Sequence, residues 1–477
     1  MHAPASRRVS APAPLVLGLL LAVLVLTRVT ALGRSLWWDE AFTASRYVAG
    51  GPATFLDPEA YVANNHVLFS AVTWATTRVT GTSEPMLRLW AVVPALVAVG
   101  LLLGLLWRRL GPWTAVVVAA LVTASPLHLT LSTEARGYGL VLLASTTMLV
   151  IGVARDRAPR WRDDLLLSLS GVVAMLTFPP TVALYLAHAG TSLVRRPVDR
   201  LRLVVLTALA GGVTLAVYAP LLSVMLGRAD RVGSRFADPV RWWSPVVDPL
   251  RLTATPALET AIGLRGVAVV VTVAVGVAGL AALLIGVDRG LGWHLLAALG
   301  GSVALLGLVG FHLADRYVGF LLPHAVTAVG VGVVAVVGGL RARPGHWPGW
   351  LAGGLAVLLV TAALPGLWRA TTVPVQAFAD AVHHLDREAP GIDVVTDRLH
   401  PGWRWYLADR DVEVIRQQER LDARLCEKSA PVAFLPDPDM GPLTVPTCVD
   451  DGARRAFEHL RPPGHLEVWV LTDATAP

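Results

Sequence analysis

The chain has 477 residues, of which 54% are hydrophobic and 16% charged, with a formal net charge of +6. Soluble domains run nearer about 45–50% apolar and about 25% charged, so this composition, with a mean hydropathy of +0.59, excludes an ordinary soluble globule. The basic balance does not mark a nucleic-acid binder either, because the arginines flank apolar runs instead of gathering on one polar module.

In chain order, the first apolar run covers 14–32 and follows Arg7 and Arg8, as the core of a signal peptide would. It is longer than a signal core, and Leu32-Gly33-Arg34 lacks a small-x-small cleavage pattern. It therefore reads as an uncleaved first span with the N-terminus in the cytoplasm. The segment 33–84 follows as a long extracytoplasmic loop. Within it, 66–80 is apolar but short and contains Arg78, and it reads as an interfacial or re-entrant helix. Further spans are expected at 86–107, 112–131, 138–154, 164–178, 180–194, 203–222, 266–286, 293–312, 317–340 and 349–368, each near the roughly 20 residues that cross a bilayer. Pro179-Pro180 marks either a tight turn or a kink between two of them. The basic segments at Arg108-Arg109, 155–162, 195–202, Asp288-Arg289 and 341–343 lie inside by the positive-inside bias. The outcome is an all-α polytopic protein of about eleven spans in the plasma membrane, occupying 1–368.

An odd number of spans puts the tail, 369–477, outside. This tail is rich in charge and proline and has no spanning run. Segments 391–396 and 466–471 read as short strands and 376–387 as an amphipathic helix, which makes a small extracytoplasmic α/β domain. Both cysteines, Cys426 and Cys448, fall there. An oxidising compartment favours a disulfide between them, against the alternative of two buried thiols.

Three polar clusters stand out, and the topology puts all three on the outer face. Trp37-Trp38-Asp39-Glu40 follows the first span at once, and its loop runs on to Asn64-Asn65-His66. Adjacent carboxylates at a membrane surface are either a functional pair or the cap of an interfacial helix within an aromatic belt. Glu134-Ala135-Arg136-Gly137-Tyr138 lies between the third and fourth spans. Its Glu and Arg could form a structural ion pair, but an arginine at that depth also suits a phosphate. Asp315-Arg316-Tyr317 repeats the acid–Arg–aromatic theme before the tenth span. Three such clusters on one membrane face make a candidate site.

Taken together, Trp37-Trp38-Asp39-Glu40-Ala41, the loop ending at His66, Glu84–Arg88, Arg108-Arg109-Leu110-Gly111, Ser125-Pro126-Leu127 and Glu134–Tyr138 resemble the N-terminal half of the family-39 glycosyltransferases. These have the GT-C fold and include protein O-mannosyltransferases and the lipid A aminoarabinose transferase. Arg316-Tyr317 with Pro323 resembles a later arginine-containing turn, and Val67-Leu68 stand where the family has prolines after the loop histidine. The resemblance implies a polyprenyl-phosphate-linked sugar donor and transfer with inversion to a protein, glycolipid or polysaccharide acceptor. That chemistry needs a carboxylate to take the acceptor proton and cations to hold the departing phosphate. It casts Asp39 as general base, with Glu40 or His66 orienting it or the acceptor. Arg136 and Arg316 fall to the lipid phosphate, Glu134 to Arg136 or a sugar hydroxyl, and Tyr138 to the substrate pocket. A divalent metal held by Asp39, Glu40 or His66 stays open. Other classes are a lipid or sugar transporter, which more often shows inverted repeats and mid-bilayer charges, and a non-catalytic envelope-binding protein.

Overall fold

The computed structural model describes residues 12–62, 65–157, 159–195, 200–225, 265–308, 319–338, 349–372, 378–388, 392–396, 401–415, 432–435, 454–458 and 467–471. Helix α1 (Pro12–Thr30) is 19 residues long, about 28 Å at 1.5 Å per residue, close to the roughly 30 Å of bilayer hydrocarbon. A short helix α2 (Trp38–Phe42), a π turn (Thr43–Val48) and a one-turn helix α3 (Pro52–Phe55) form the loop that follows. Helix α4 (Val67–Thr80) has 14 residues, too few to cross. It packs Phe69 against Leu36, Ala41 and Leu87, and its Thr76 hydroxyl accepts the Trp90 indole N–H at 2.7 Å.

Helix α5 (Glu84–Leu110) runs 27 residues. It stops at Gly111, which adopts φ +97° and returns its N–H to the Leu106 carbonyl at 3.1 Å. A side chain there would be strained, so Gly111 followed by Pro112 makes a sharp corner. Helices α6 (Pro112–Ala124) and α7 (Pro126–Thr133) were expected as one span but are bent by 69° at Ser125-Pro126. The proline ring keeps Ser125 extended, and the Ser125 hydroxyl caps α7 by accepting the His128 N–H at 3.1 Å. The bend delivers the α7–α8 turn, 134–137, to the loop after α1.

Helix α8 (Tyr138–Arg155), α9 (Trp161–Thr177), α10 (Val182–Arg195) and α11 (Arg200–Tyr218) follow. Pro179–Thr181 form a single 3₁₀ turn between α9 and α10, so the two prolines make a tight turn and not a kink. Beyond lie α12 (Arg265–Ala282), α13 (Arg289–Leu296), α14 (Ser302–Leu308), α15 (Leu322–Gly338) and α16 (Gly349–Thr372). Three buried imidazoles stitch this half together: His188 Nδ1 lies 3.1 Å from His294 Nδ1, and His188 Nε2 lies 2.9 Å from His324 Nε2. Seven described helices are long and apolar enough to cross a membrane, or eight if the bent α6–α7 pair counts as one span. The chain is a multi-pass membrane protein. Of the expected spans, 164–178 and 180–194 correspond to α9 and α10, which have 17 and 14 residues, and 293–312 is described only as far as residue 308.

The described arginine-rich segments expected on the cytoplasmic side meet at one end of the bundle, and 341–343 lies outside the described residues. Arg109 approaches Asp288 at 3.4 Å, Arg202 meets Asp164 at 2.6 Å, and Arg155–Asp164 and Arg195–Asp156 are close ion pairs. Burial works to raise the Asp156 carboxyl, but His294 and Arg195 outweigh it and hold it below the usual carboxylate range. Arg88 sits at the opposite end of α5, 21 residues from Arg109, or about 31 Å away. Cysteines introduced by Glu59→Cys and Arg108→Cys, with Cys426 and Cys448 removed, are therefore expected to react with an impermeant thiol reagent from opposite sides of the membrane. Labelling of both from one side would overturn the arrangement.

The tail forms the expected α/β unit. Helix α17 (Phe378–Glu388), strand β1 (Asp393–Thr396), helix α18 (Pro401–Tyr406) and strands β2 (Val412–Val414), β3 (Val432–Phe434), β4 (Arg454–Glu458) and β5 (Glu467–Leu471) build one sheet in the order β2-β1-β3-β5-β4. β1 runs parallel to β2 and β3, while β5 is antiparallel to β3 and β4. Phe378, Ala381 and Leu385 on one face of α17 close over Trp403 and the sheet residues Val394 and Ala433. Cys426 and Cys448, and with them the disulfide, lie outside the described residues.

Candidate active site

The site forms where the loop after α1 meets the turn between α7 and α8. Trp37 is extended at the start of α2. Glu40, three residues on, turns back to accept the Trp37 N–H at 3.2 Å, an arrangement that caps the helix N-terminus. Capping is only part of its role. The same carboxylate accepts Arg88 Nε at 2.8 Å, Arg88 Nη2 at 2.7 Å and the Ala135 N–H at 2.6 Å. Four donors match the roughly four acceptor sites of a carboxylate. Glu40, marked with Asp39 as a catalytic candidate, is thereby the anchor that ties α2 to α5 and to the turn bearing Arg136.

Arg88 is the other half of that anchor. It is 1% exposed, and besides Glu40 it donates to the carbonyls of Leu32 at 2.7 Å, Arg34 at 2.5 Å and Ser35 at 3.3 Å. An arginine inside a spanning helix requires such partners, since a bare charge in hydrocarbon is expensive. That rule alone could have singled it out from the sequence, where it appears only as the end of a motif.

Asp39, the next residue along, faces a different cation. Its Oδ2 accepts Arg136 Nη1 at 2.8 Å, with Asp39 8% and Arg136 2% exposed. The Arg136 guanidinium also lies 4.9 Å from the centre of the Tyr138 ring, within cation–π range. Its Nε has no hydrogen-bond partner among the described residues. Leaving a buried charged donor unmatched is costly. Glu134 caps the end of α7 in extended conformation, and its carbonyl takes the Arg136 N–H at 2.6 Å.

His66 enters from the α4 side. Its Nδ1 lies 3.0 Å from the Thr177 carbonyl, a group that can only accept, so Nδ1 carries the proton and the lone pair of the neutral ring sits on Nε2. The ring meets Tyr138 edge-on at 5.2 Å and stacks near Phe178 at 6.1 Å. Gly137 makes this closeness possible. A Cβ on it would fall 2.2 Å from Thr177 Cγ2 and 3.1 Å from His66 Nδ1.

Two further groups, absent from the sequence reading, complete the surroundings. Arg34 donates to Thr133 Oγ1 at 3.2 Å and to the Ala370 carbonyl at the end of α16. Burial, with the neighbouring Arg88, lowers its pKa, and Glu40 and Glu134 oppose the shift. From the small domain, the Tyr406 hydroxyl donates to Glu84 at 3.0 Å and accepts the Leu36 N–H at 2.8 Å. Burial pushes this phenol above its ordinary range. Ser35 Oγ accepts the Ala379 N–H at 3.1 Å, so the tail domain is seated directly on the loop that carries Asp39.

The structure therefore brings Asp39, Glu40, His66, Glu134, Arg136 and Tyr138 into one neighbourhood, with Arg34 and Arg88 added. Arg316, with Asp315 and Tyr317, lies outside the described residues. Among the described residues, no three His, Cys, Asp or Glu side chains converge so as to hold a metal ion. Asp39 and Glu40 are instead both turned to guanidinium groups.

No family model and no curated protein sequence matches the chain. Solved structures do. ArnT from Cupriavidus metallidurans bound to undecaprenyl phosphate superposes with a TM-score of 0.54 at 16% identity, over 96% of this chain and 98% of that one. Apo ArnT from the same organism gives 0.52 at 17% identity, over 98% and 100%. The arabinosyltransferase EmbB from Mycobacterium smegmatis gives 0.43 at 16% identity, over 86% of this chain and 44% of its own. The likeness to ArnT extends over nearly the full chain, and it shows the fold: this chain has the GT-C architecture with a small α/β tail domain.

Proposed function

We propose that the chain is a membrane glycosyltransferase that moves a sugar from a polyprenyl-phosphate donor to an acceptor hydroxyl outside the plasma membrane, with inversion. The observation that carries this reading is the buried Asp39–Arg136 contact at 2.8 Å. One carboxylate and one guanidinium, the two groups the reaction needs, are held beside a buried frame in which Glu40 accepts from Arg88 and from the Ala135 N–H. The fold it shares with a protein bound to undecaprenyl phosphate supports the class of donor.

In the transfer, the acceptor oxygen forms a bond to the anomeric carbon from the face opposite the phosphate. The bond from that carbon to the phosphate oxygen breaks, and the phosphate leaves with the electron pair. Asp39 takes the acceptor proton, and Arg136 steadies the charge on the leaving phosphate. The resting contact between them gives this scheme an order. An arriving phosphate competes for Arg136 and so releases Asp39 Oδ2 for the hydroxyl. Tyr138 and His66, beside Arg136, fall to the sugar, with Glu134 and Arg34 nearby, and Arg316 is a second candidate for the phosphate. The acceptor is a protein, a glycolipid or a polysaccharide, and the sugar is mannose-like or a pentose.

Membranes containing the full chain, offered radiolabelled polyprenyl-phosphate sugars one at a time, are expected to move label into an acceptor with one of them. Label that crosses sealed vesicles unchanged, with no transfer from any donor, would identify a transporter and end the enzymatic reading.

A further inference from the structure

At the end of the bundle away from Asp39, a groove of about 490 Å³ opens between α5 and α8. Its floor is apolar, built of Gly100 and Gly104 on α5 and of Val150 and Ala154 one turn apart on α8. A Cβ on Gly100 or Gly104 would meet nothing within 4 Å, so these glycines leave open space and do not serve helix packing. The mouth is basic. Arg108 and Arg109 come from the end of α5, Arg157 and Arg160 from the loop before α9, and Asp163 is the one acidic residue in the lining among the described residues. Arg109 is shared with Asp288, and Asp163 is turned to the Arg160 backbone N–H at 3.3 Å. Arg108, Arg157 and Arg160 all stand exposed.

We infer that this groove binds an anionic phospholipid of the bilayer, its phosphate between Arg108, Arg157 and Arg160 and one acyl chain laid over Gly104 and Gly100. The charge of the lining selects an anion, four arginines against one aspartate. The shape selects a lipid over a free phosphate. From Arg108 to Gly100 the apolar floor descends eight residues along α5, about 12 Å, into the depth where only hydrocarbon reaches. Basic pockets between spans on the cytoplasmic side recognise anionic headgroups in this way, and Trp161, next in sequence to Arg160 and 57% exposed, is the kind of aromatic side chain that sits among headgroups. The groove is about 31 Å from the Asp39 end by the length of α5, so its occupant is distinct from the sugar donor, and the inference stands independently of the enzymatic reading.

Native mass spectrometry of the full chain in detergent, titrated with phosphatidylglycerol or phosphatidylcholine of matched chains, tests the inference. The wild type is expected to retain phosphatidylglycerol about tenfold better, because its headgroup carries a net negative charge to meet the arginines and that of phosphatidylcholine does not. Arg108→Gln with Arg157→Gln should erase the preference. Gly104→Leu, which fills open space and leaves the charges, should lower retention of both lipids. Equal retention of the two lipids by wild type would overturn the site, as would an unchanged preference in the Arg108→Gln, Arg157→Gln protein or unchanged retention of both lipids by Gly104→Leu. Displacement of phosphatidylglycerol by millimolar inorganic phosphate would show a free-anion site and also overturn it.

Discussion

Asp39→Asn is expected to lower turnover by about a thousandfold, within the range that general-base catalysis supplies, while binding undecaprenyl phosphate more tightly than the wild type. Asparagine keeps an acceptor oxygen but carries no charge and takes no proton. It leaves the buried Arg136 without its counter-ion, so the free protein is expected to melt lower. A phosphate then gains a guanidinium that no longer has to be won from a carboxylate. The thermal shift on adding undecaprenyl phosphate should accordingly be larger in the variant than in the wild type. Arg136→Ala behaves in the opposite sense: donor affinity falls by about ten- to a hundredfold, the value of a charge-assisted hydrogen bond. If Asp39 only helped to cap α2, Asp39→Asn would cost about 1 kcal/mol of stability and no chemistry. Near-normal turnover by a folded Asp39→Asn protein would remove the base from Asp39, and an unchanged affinity for undecaprenyl phosphate would remove the competition for Arg136.

The second large effect belongs to Arg88. Arg88→Ala leaves Glu40 charged and buried and takes the donor from the Leu32, Arg34 and Ser35 carbonyls. Breaking one side of a buried pair typically costs about 3–5 kcal/mol, so the melting temperature in detergent should drop by several degrees, with activity lost through displacement of the Asp39 loop. Arg88→Lys should recover little, because an ammonium cannot fill both Glu40 oxygens and three carbonyls from one fork. Glu40→Gln separates anchoring from chemistry. It retains an acceptor for the Ala135 N–H and is expected to keep measurable turnover at reduced stability, whereas Asp39→Asn keeps stability better than turnover. A melting temperature for Arg88→Ala within about two degrees of wild type would show that the loop is held by other means.

The membrane architecture was legible in the sequence because a bilayer acts on each segment locally. A run of apolar residues either covers the hydrocarbon or does not, and the residues 12–30, 84–110 and 138–155 needed no knowledge of their neighbours to be read as helices. The same holds for the sorting of the described arginines to one end, and for Phe378–Glu388 and the strand at Asp393–Thr396, where the cue lies in the residues themselves, whereas the choice between turn and kink at Pro179-Pro180 was made only by the structure. The number of spans was less legible. Whether Pro126 bends a span by 69° depends on what the freed backbone groups find around them. The residues that meet in the candidate site were in part on view, since Asp39, Glu40, His66, Glu134, Arg136 and Tyr138 all stand in motifs, whereas Arg34 and Tyr406 carried no such cue. Their division of labour was decided by the tertiary structure alone. Asp39 and Glu40 are chemically similar neighbours, and no local rule says which is spent on scaffolding. Partners 48 residues away at Arg88 and 97 away at Arg136 make that choice. An α-helical turn points consecutive side chains about 100° apart, so Glu40 is aimed into the frame of α5 and Asp39 toward Arg136.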